Sequence, residues 1–261
     1  VLMGMQLKDK VAIVTGAGQG IGRAIALDLA SNGATVFVTD LDYKSAQNTS
    51  SLIETNNECM QVDVANLDDV QKMIDTCLQK FSKLDILVNN AGVTRFVDII
   101  GVTVEDWDLM HSVNARGTFF AMQFAAKKMI EAKVRGNIIN IASIAGKGWH
   151  GSSNAAYAAS KGAIIAMTTL AAQQLGSYGI RVNAVCPGTT QTGLLDRIVD
   201  SIADSKGVKS SEVRKSPSRI SPTGRDSTPE DIASMVTFLA GPGASNITGQ
   251  AINVDGGFIS L

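Results

Sequence analysis

An open α/β fold, doubly wound about a parallel seven-stranded sheet, is what this sequence predicts, and three observations carry the prediction. Short β-branched runs alternate with longer stretches of helical periodicity along the whole chain. Strict β/α alternation implies right-handed crossovers, which leave the strands parallel and cover both faces with helices. The chain has 261 residues, 45% of them apolar, enough for one continuous core. No linker-like shift in composition interrupts it, so residues 1–261 read as a single domain.

The elements follow in order. Val11–Thr15 is a buried strand, and a helix covers 20–32. Thr35–Thr39 is the second strand, followed by a helix over 43–55, a strand over 58–62 and a helix over 67–80. Then come the strand Asp85–Asn89, helices across 103–132, and the strand Asn137–Ala142. A helix over 154–178, the strand Ile180–Val185, a helix over 229–240 and the strand Ala251–Val254 complete the pattern. Residues 194–226 break it: they are rich in Ser, Lys and Arg and carry Pro217 and Pro222. Two readings stand for this stretch, a mobile surface excursion or a lid over a ligand. It follows a strand on the edge where open α/β sheets bind ligands.

Composition excludes several classes. The formal net charge is −1 with no Lys/Arg cluster, so the electrostatic footprint of a nucleic-acid binder is missing. No apolar run reaches the length of about 18 residues that spans a bilayer, and Val1–Lys10 has no charged-then-apolar leader pattern. The chain begins with Val1, and Met3 or Met5 stands as the candidate natural start. Cys59, Cys77 and Cys186 are widely spaced. They read as reduced cysteines of a cytoplasmic protein, with no zinc-type cluster.

The turn Thr15-Gly16-Ala-Gly18-Gln-Gly20-Ile-Gly22 joins the first strand to the first helix. Glycines let the backbone take positive φ and approach a ligand closely, and the helix N-terminus offers N–H groups to a pyrophosphate. The spacing is Gly-x3-Gly-x-Gly, not Gly-x-Gly-x-x-Gly, because Arg23 occupies the place of the last glycine. Such a turn after the first strand, with Asp40 closing the second, points to a Rossmann-type dinucleotide site. Asp40 and Asp63 each have two readings: a turn or cap residue, or a carboxylate on the adenosine of the cofactor.

Tyr157 and Lys161 are four apart in a helical stretch and share one face. Ser143 closes the strand before them, and Asn114 follows Asn89-Asn90-Ala91-Gly92, which closes the fourth strand. Polar groups therefore converge on one edge of the sheet. Moving a hydride off an alcohol carbon requires the hydroxyl proton to leave. A free Tyr, with a pKa of about 10, is a poor base at neutral pH. A nearby ammonium and an oxidised nicotinamide would lower it, by roughly 1–3 units for one close opposite charge. Ser143 can hold the substrate oxygen, and Asn114 can hold a water that relays protons from Lys161.

With Thr15-Gly-x3-Gly-Ile-Gly22, Asn89-Asn-Ala-Gly92, Asn114, Ser143, Tyr157-x3-Lys161 and Pro187-Gly188, the chain resembles the short-chain dehydrogenase/reductase family in its single-domain branch, from about Leu7 to Phe258. The resemblance implies a tetrad of Asn114, Ser143, Tyr157 and Lys161, with Lys161 also on the nicotinamide ribose. Pro187, Gly188 and Thr192 would hold the carboxamide side. The expected cofactor set is Gly16, Gln19, Gly20, Ile21, Gly22, Asp40, Leu41, Asp63, Val64, Asn90, Gly92, Tyr157, Lys161, Pro187, Gly188 and Thr192. The spacing sets the chain apart from the extended branch and from an enoyl-reductase branch whose Lys lies farther from Tyr.

The expected activity is hydride transfer between NAD(H) and a small secondary alcohol or ketone. NAD is favoured over NADP because Asp40 would face the extra phosphate: like charges about 4 Å apart repel by roughly 1 kcal/mol in water and about 4 at an effective dielectric of 20. The polar residues of 194–226 suggest a polyol, diol or sugar alcohol, with a 3-oxoacyl thioester reductase as the alternative. A second alternative is a non-catalytic NAD-binding regulator, which a lost tetrad residue would favour and none is lost. A hydrolase lacks its glycine-flanked serine here. Trp149 and His150 fall between Ser143 and Tyr157 and either wall the substrate site or pack locally; His111 reads as a surface or intrahelical residue. The helix over 154–178 is small or apolar on nearly every side, so another subunit should cover part of it; the resemblance implies a homotetramer.

Overall fold

A computed structural model describes residues 6–148, 154–214 and 221–259. Seven strands form one parallel sheet: β1 Val11–Thr15, β2 Thr35–Asp40, β3 Asn57–Gln61, β4 Ile86–Asn89, β5 Asn137–Ile141, β6 Arg181–Pro187 and β7 Ala251–Val254. Their order is β3-β2-β1-β4-β5-β6-β7, a Rossmann-like arrangement. β1, β4 and β5 are buried along their whole length, as central parallel strands are when helices cover both faces. The order in which successive strands are laid down reverses between the parallel neighbours β1 and β4, and a crevice opens beyond the carboxyl ends of these two strands.

The helices are α1 Gly20–Ser31, α2 Tyr43–Ser50, α3 Leu67–Phe81, α4 Val104–Met110, α5 Thr118–Glu131, α6 Ala155–Leu175, α7 Gly193–Lys206, α8 Ser210–Arg214 and α9 Pro229–Ala240. One apolar core cluster joins Ile25, Leu29, Ile232 and Val236 to one face of the sheet; a second joins Met73, Ile74, Ala125 and Met129 to the other.

The elements fall where the periodicity puts them, with differences that have physical causes. The helix over 43–55 ends at Ser50. Beyond it Ser51 Oγ donates to Asn48 O at 2.8 Å and Asn57 Nδ2 to Ile53 O at 3.1 Å, the backbone competition that makes Ser and Asn poor in helices. The helical stretch 103–132 is interrupted by a π-turn, His111–Gly117, between α4 and α5. Gly117 lets this wide turn approach the β3–α3 connection, since a Cβ there would lie 2.6 Å from Val64 O. The helix over 154–178 ends in a 3₁₀ turn, Gly176–Tyr178. The stretch 194–226 is not irregular throughout: it carries α7 and α8. Leu194, Leu195, Ile198, Val199 and Ile202 recur at helical spacing behind the cap Thr192, a signal that the polar residues between them obscure.

Buried amides tie the middle of the sheet together. Asn89 Nδ2 donates to Asn140 Oδ1 and Asn140 Nδ2 to Thr168 Oγ1, each at 2.9 Å. This chain links β4, β5 and α6.

Candidate functional site

The glycine turn is held by the end of β4. Asn90 Nδ2 donates to Thr15 O and Gly16 O at 2.9 Å, and the N–H groups of Asn90 and Ala91 both donate to Thr15 Oγ1 at 3.1 Å. Gly16 and Gly20 have φ of 61° and 54°. A Cβ on Gly22 would run into Gly16 O and Asn90 Nδ2, so α1 can start this close to the turn only from a glycine. Asp42, Asn66, Asn154 and Thr192 cap the first turns of α2, α3, α6 and α7. No side chain caps α1. Gly20, Ile21 and Gly22 at its start line the crevice, with no side-chain cap among the described residues, as an anion site at a helix N-terminus requires. The turn therefore fits a dinucleotide pyrophosphate.

A cleft of about 460 Å³ runs from this turn across the sheet edge. Gly16, Gln19, Gly20, Ile21, Gly22, Asp40, Leu41, Asp63, Val64, Asn90 and Gly92 line one part of it. Ser143, Tyr157, Lys161, Pro187, Gly188 and Thr192 line the other. All the expected residues except Asn114 thus meet in one cleft. Trp149 and His150 lie outside the described residues. His111 Nδ1 donates to Trp107 O at 3.0 Å, and its ring stacks on that of Trp107, in line with its reading as an intrahelical residue.

Asp40 is a turn residue that also stands at the cleft wall. Its Oδ2 accepts from Gly18 N–H at 2.8 Å and its Oδ1 from Asp42 N–H at 3.0 Å, yet the carboxylate also lines the cleft. Arg23, the cation nearest in sequence, is engaged elsewhere: Nη2 donates to Gly18 O at 2.5 Å and Nε to Thr49 Oγ1 at 3.1 Å. Asp63 Oδ1 accepts from Ala65 N–H at 2.9 Å, a turn role, at the cleft wall.

Asn114 stands behind the wall, fully buried in the π-turn. Its Nδ2 donates to Val93 O and Ser160 Oγ, both at 3.0 Å, and its Oδ1 accepts from Val93 N–H at 2.8 Å. Both amide protons are thus taken. A Cβ on Gly92 would lie 3.3 Å from both Asn114 Oδ1 and Lys161 Nζ, so these two groups face the same side of Gly92.

Lys161 Nζ donates to Ile141 O at 2.8 Å and lies 5.8 Å from the centre of the Tyr157 ring. Burial pulls the lysine down to about 8. Burial also pushes the Tyr157 hydroxyl up to about 12, while a hydrogen bond with Ser143 pulls the other way. The lowered tyrosine expected from the sequence is therefore not produced by the protein's own groups: desolvation outweighs them.

Asn154 was not singled out from the sequence. Its Oδ1 accepts from Tyr157 N–H at 2.7 Å, and its Nδ2 donates to Arg95 O at 2.7 Å. The sequence signal was an Asn three residues ahead of the tyrosine at a helix start. Thr94, Leu194, Arg197 and Ile198 also line the cleft and carried no motif.

Comparison with known proteins agrees with this geometry. A family model described as enoyl-(acyl carrier protein) reductase matches residues 16–259. A short-chain dehydrogenase/reductase of Armillaria gallica is 42% identical over 257 residues, covering 97% of each chain. A 3-oxoacyl-(acyl-carrier-protein) reductase of Thermotoga maritima is 37% identical, covering 98% of this chain and all of its own. An L-2,3-butanediol dehydrogenase of Corynebacterium glutamicum is 39% identical, covering 96% and 99%. The chain belongs to the short-chain dehydrogenase/reductase family of nicotinamide-dependent oxidoreductases. No helix among the described residues is long and apolar enough to cross a membrane, and no group of His, Cys, Asp and Glu among them could hold a metal.

Proposed function

We propose that this chain interconverts a secondary alcohol and a ketone, with Tyr157 as the acid–base residue. The observation that carries this is the meeting of Ser143, Tyr157 and Lys161 at one wall of the cleft, with buried Lys161 Nζ 5.8 Å from the centre of the Tyr157 ring: two hydroxyls stand where one carbonyl or alcohol oxygen can accept from both. This arrangement suits a polar C–O bond and offers nothing specific to a C=C bond. The nicotinamide supplies or accepts the hydride. In the reductive direction Tyr157, neutral at pH 7, gives its proton to the developing alkoxide. In the oxidative direction Tyr157 must first pass its own proton to the water relay, and the phenolate so formed then takes the alcohol proton. Lys161 binds the nicotinamide ribose and, with Asn114 Oδ1 on the same side of Gly92, holds a water that returns the proton to solvent. The test is Tyr157→Phe, with turnover of an alcohol and ketone panel and NADH binding measured side by side.

NAD is preferred over NADP. Asp40 is fixed by two backbone N–H groups at the cleft wall, and among the described residues lining the cleft the cations are Lys161 and Arg197, at its other end.

Two substrate classes compete. The polar residues that suggest a polyol, Asp200, Asp204 and Lys206, are exposed on α7. The cleft meets Leu194, Leu195 and Ile198 instead. This apolar wall favours a 3-oxoacyl-type substrate, the class named for the Thermotoga relative; a diol, named for the Corynebacterium relative, is the second reading. Residues 194–226 serve as the lid, and 1–261 as one domain.

The assembly is a homotetramer, in the cytoplasm. Only one face of α6 is buried, through Ala156, Ser160, Lys161, Ile164, Thr168 and Ala172, while Leu170, Phe119 and Trp107 are exposed. A second copy would cover this surface. A monomer mass by light scattering at micromolar concentration would refute it.

A further inference from the structure

We propose that Arg197 receives a negatively charged group on the substrate, so that the ligand of this cleft is a ketone or alcohol bearing a carboxylate or phosphate. The proposal rests on the dehydrogenase reading and narrows its substrate.

Helix α7 has two inward rows. Leu195, Val199 and Ile202 pack with Phe96 and Val213 in a small apolar cluster. Leu194, Arg197 and Ile198, three and four residues apart, line the cleft. Arg197 is exposed, and no carboxylate of the described residues pairs with it. Asp200, one turn on, accepts instead from Ser210 Oγ at 2.7 Å.

Charge in the cleft is divided. The acids among the described lining residues, Asp40 and Asp63, flank the glycine turn. Of the two cations, Lys161 is buried and donates to Ile141 O. Arg197 alone among them is open to a ligand. A guanidinium presents a planar fork that matches carboxylate and phosphate oxygens, and charge-assisted bonds of this kind are among the strong ones. The cofactor's own phosphates are the competing source of charge. Thr192, the cap of α7, stands by the glycine turn: its methyl would lie 3.4 Å from a Cβ on Gly20. Arg197 stands five residues further on, about 7 Å along the axis from that cap.

The experiment compares NADH-dependent reduction of acetoacetate, acetoacetyl-CoA and neutral ethyl acetoacetate. The parent should favour at least one charged substrate in kcat/KM. Arg197→Ala should cost that substrate 10 to 100 times more than the ester, mostly in KM, and Arg197→Lys should recover part. Lys72→Ala removes an exposed cation of α3, outside the cleft, and should change neither. A loss on acetoacetate assigns a carboxylate, and a loss on the CoA ester a phosphate. Equal losses on charged and neutral substrates overturn the proposal. So does a weakened NADH dissociation constant in Arg197→Ala with the charged-to-neutral ratio intact, which would give the arginine to the cofactor. A parent that reduces no ketone would sink the dehydrogenase reading. Calorimetric titration of acetoacetate and of acetoacetyl-CoA into parent and Arg197→Ala then still decides: binding lost in the variant supports the arginine's role, and equal or absent binding overturns it.

Discussion

At the glycine-turn end of the cleft, the walls are held by hydrogen bonds between adjacent strand ends. Asn90 reaches back to Thr15 and Gly16, and Asp40 holds Gly18 and Asp42. At the other end, the walls come from helix starts and a π-turn, and they are joined by side chains far apart in the chain: Asn114 to Ser160, Asn154 to Arg95, Phe96 to α7. The first end is a rigid backbone cradle. The second is an assembly of separately anchored side chains, which can vary its ligand without disturbing the cradle.

The largest effect that would separate the two ends is Tyr157→Phe. Turnover should fall by about 10²–10⁴, the usual range for a positioned acid–base group, while NADH affinity is retained. Near-normal turnover would sink the assignment. At the cradle, Asp40→Ser should lose NAD activity and gain NADP activity, moving the kcat/KM ratio by roughly tenfold to a thousandfold, since each 1.4 kcal/mol is a factor of ten. Equal use of both cofactors by the parent would leave Asp40 as a turn residue alone. Gly22→Ala tests rigidity: the clash with Gly16 O should lower stability by about 1–3 kcal/mol and weaken cofactor binding, read by thermal melting and fluorescence titration. Phe96→Ala loosens only the lid cluster, so KM should rise severalfold with cofactor affinity intact; a parallel loss of both would join the two ends into one unit.

Stability against pH gives a finer contrast. Lys161 sits near 8 against an ordinary 10.5. Between these values the unfolded chain holds the proton and the folded one does not, so stability of the cofactor-free protein rises with pH across that window. Tyr157, near 12 against 10, works in reverse and lowers stability from about pH 10 upward. In Lys161→Met the rise between 8 and 10.5 should shrink, as measured by urea midpoints; an unaltered profile would mean the lysine is solvated.

The cradle was legible in the sequence because its requirements are local. Glycines must follow β1, an acid must close β2, and a short polar run must close β4. Tyr157-x3-Lys161 was legible because helical periodicity alone puts both on one face. Asn154 and Arg197 were not. The capping role of Asn154 depends on where α6 starts, and its second bond reaches Arg95, 59 residues away. Arg197 faces the cleft only because α7 is a helix, and the polar residues along that helix hid its apolar rows. The raised pKa of Tyr157 in the cofactor-free protein was not legible either, because it is set by burial, which no spacing reports.

The amide chain Asn89–Asn140–Thr168 also has a consequence for assembly of the chain during folding. A slip of β5 against β4 by one residue would shift the strand by about 3.3 Å and turn every side chain to the opposite face. In most sheets such a slip exchanges one aliphatic contact for another. Here it would strand two carboxamides in an apolar interior, each costing about 1–3 kcal/mol. The misaligned pairing is thereby disfavoured, and the register that places Ser143, three residues past Asn140, at the cleft is set by the sheet itself, without any ligand.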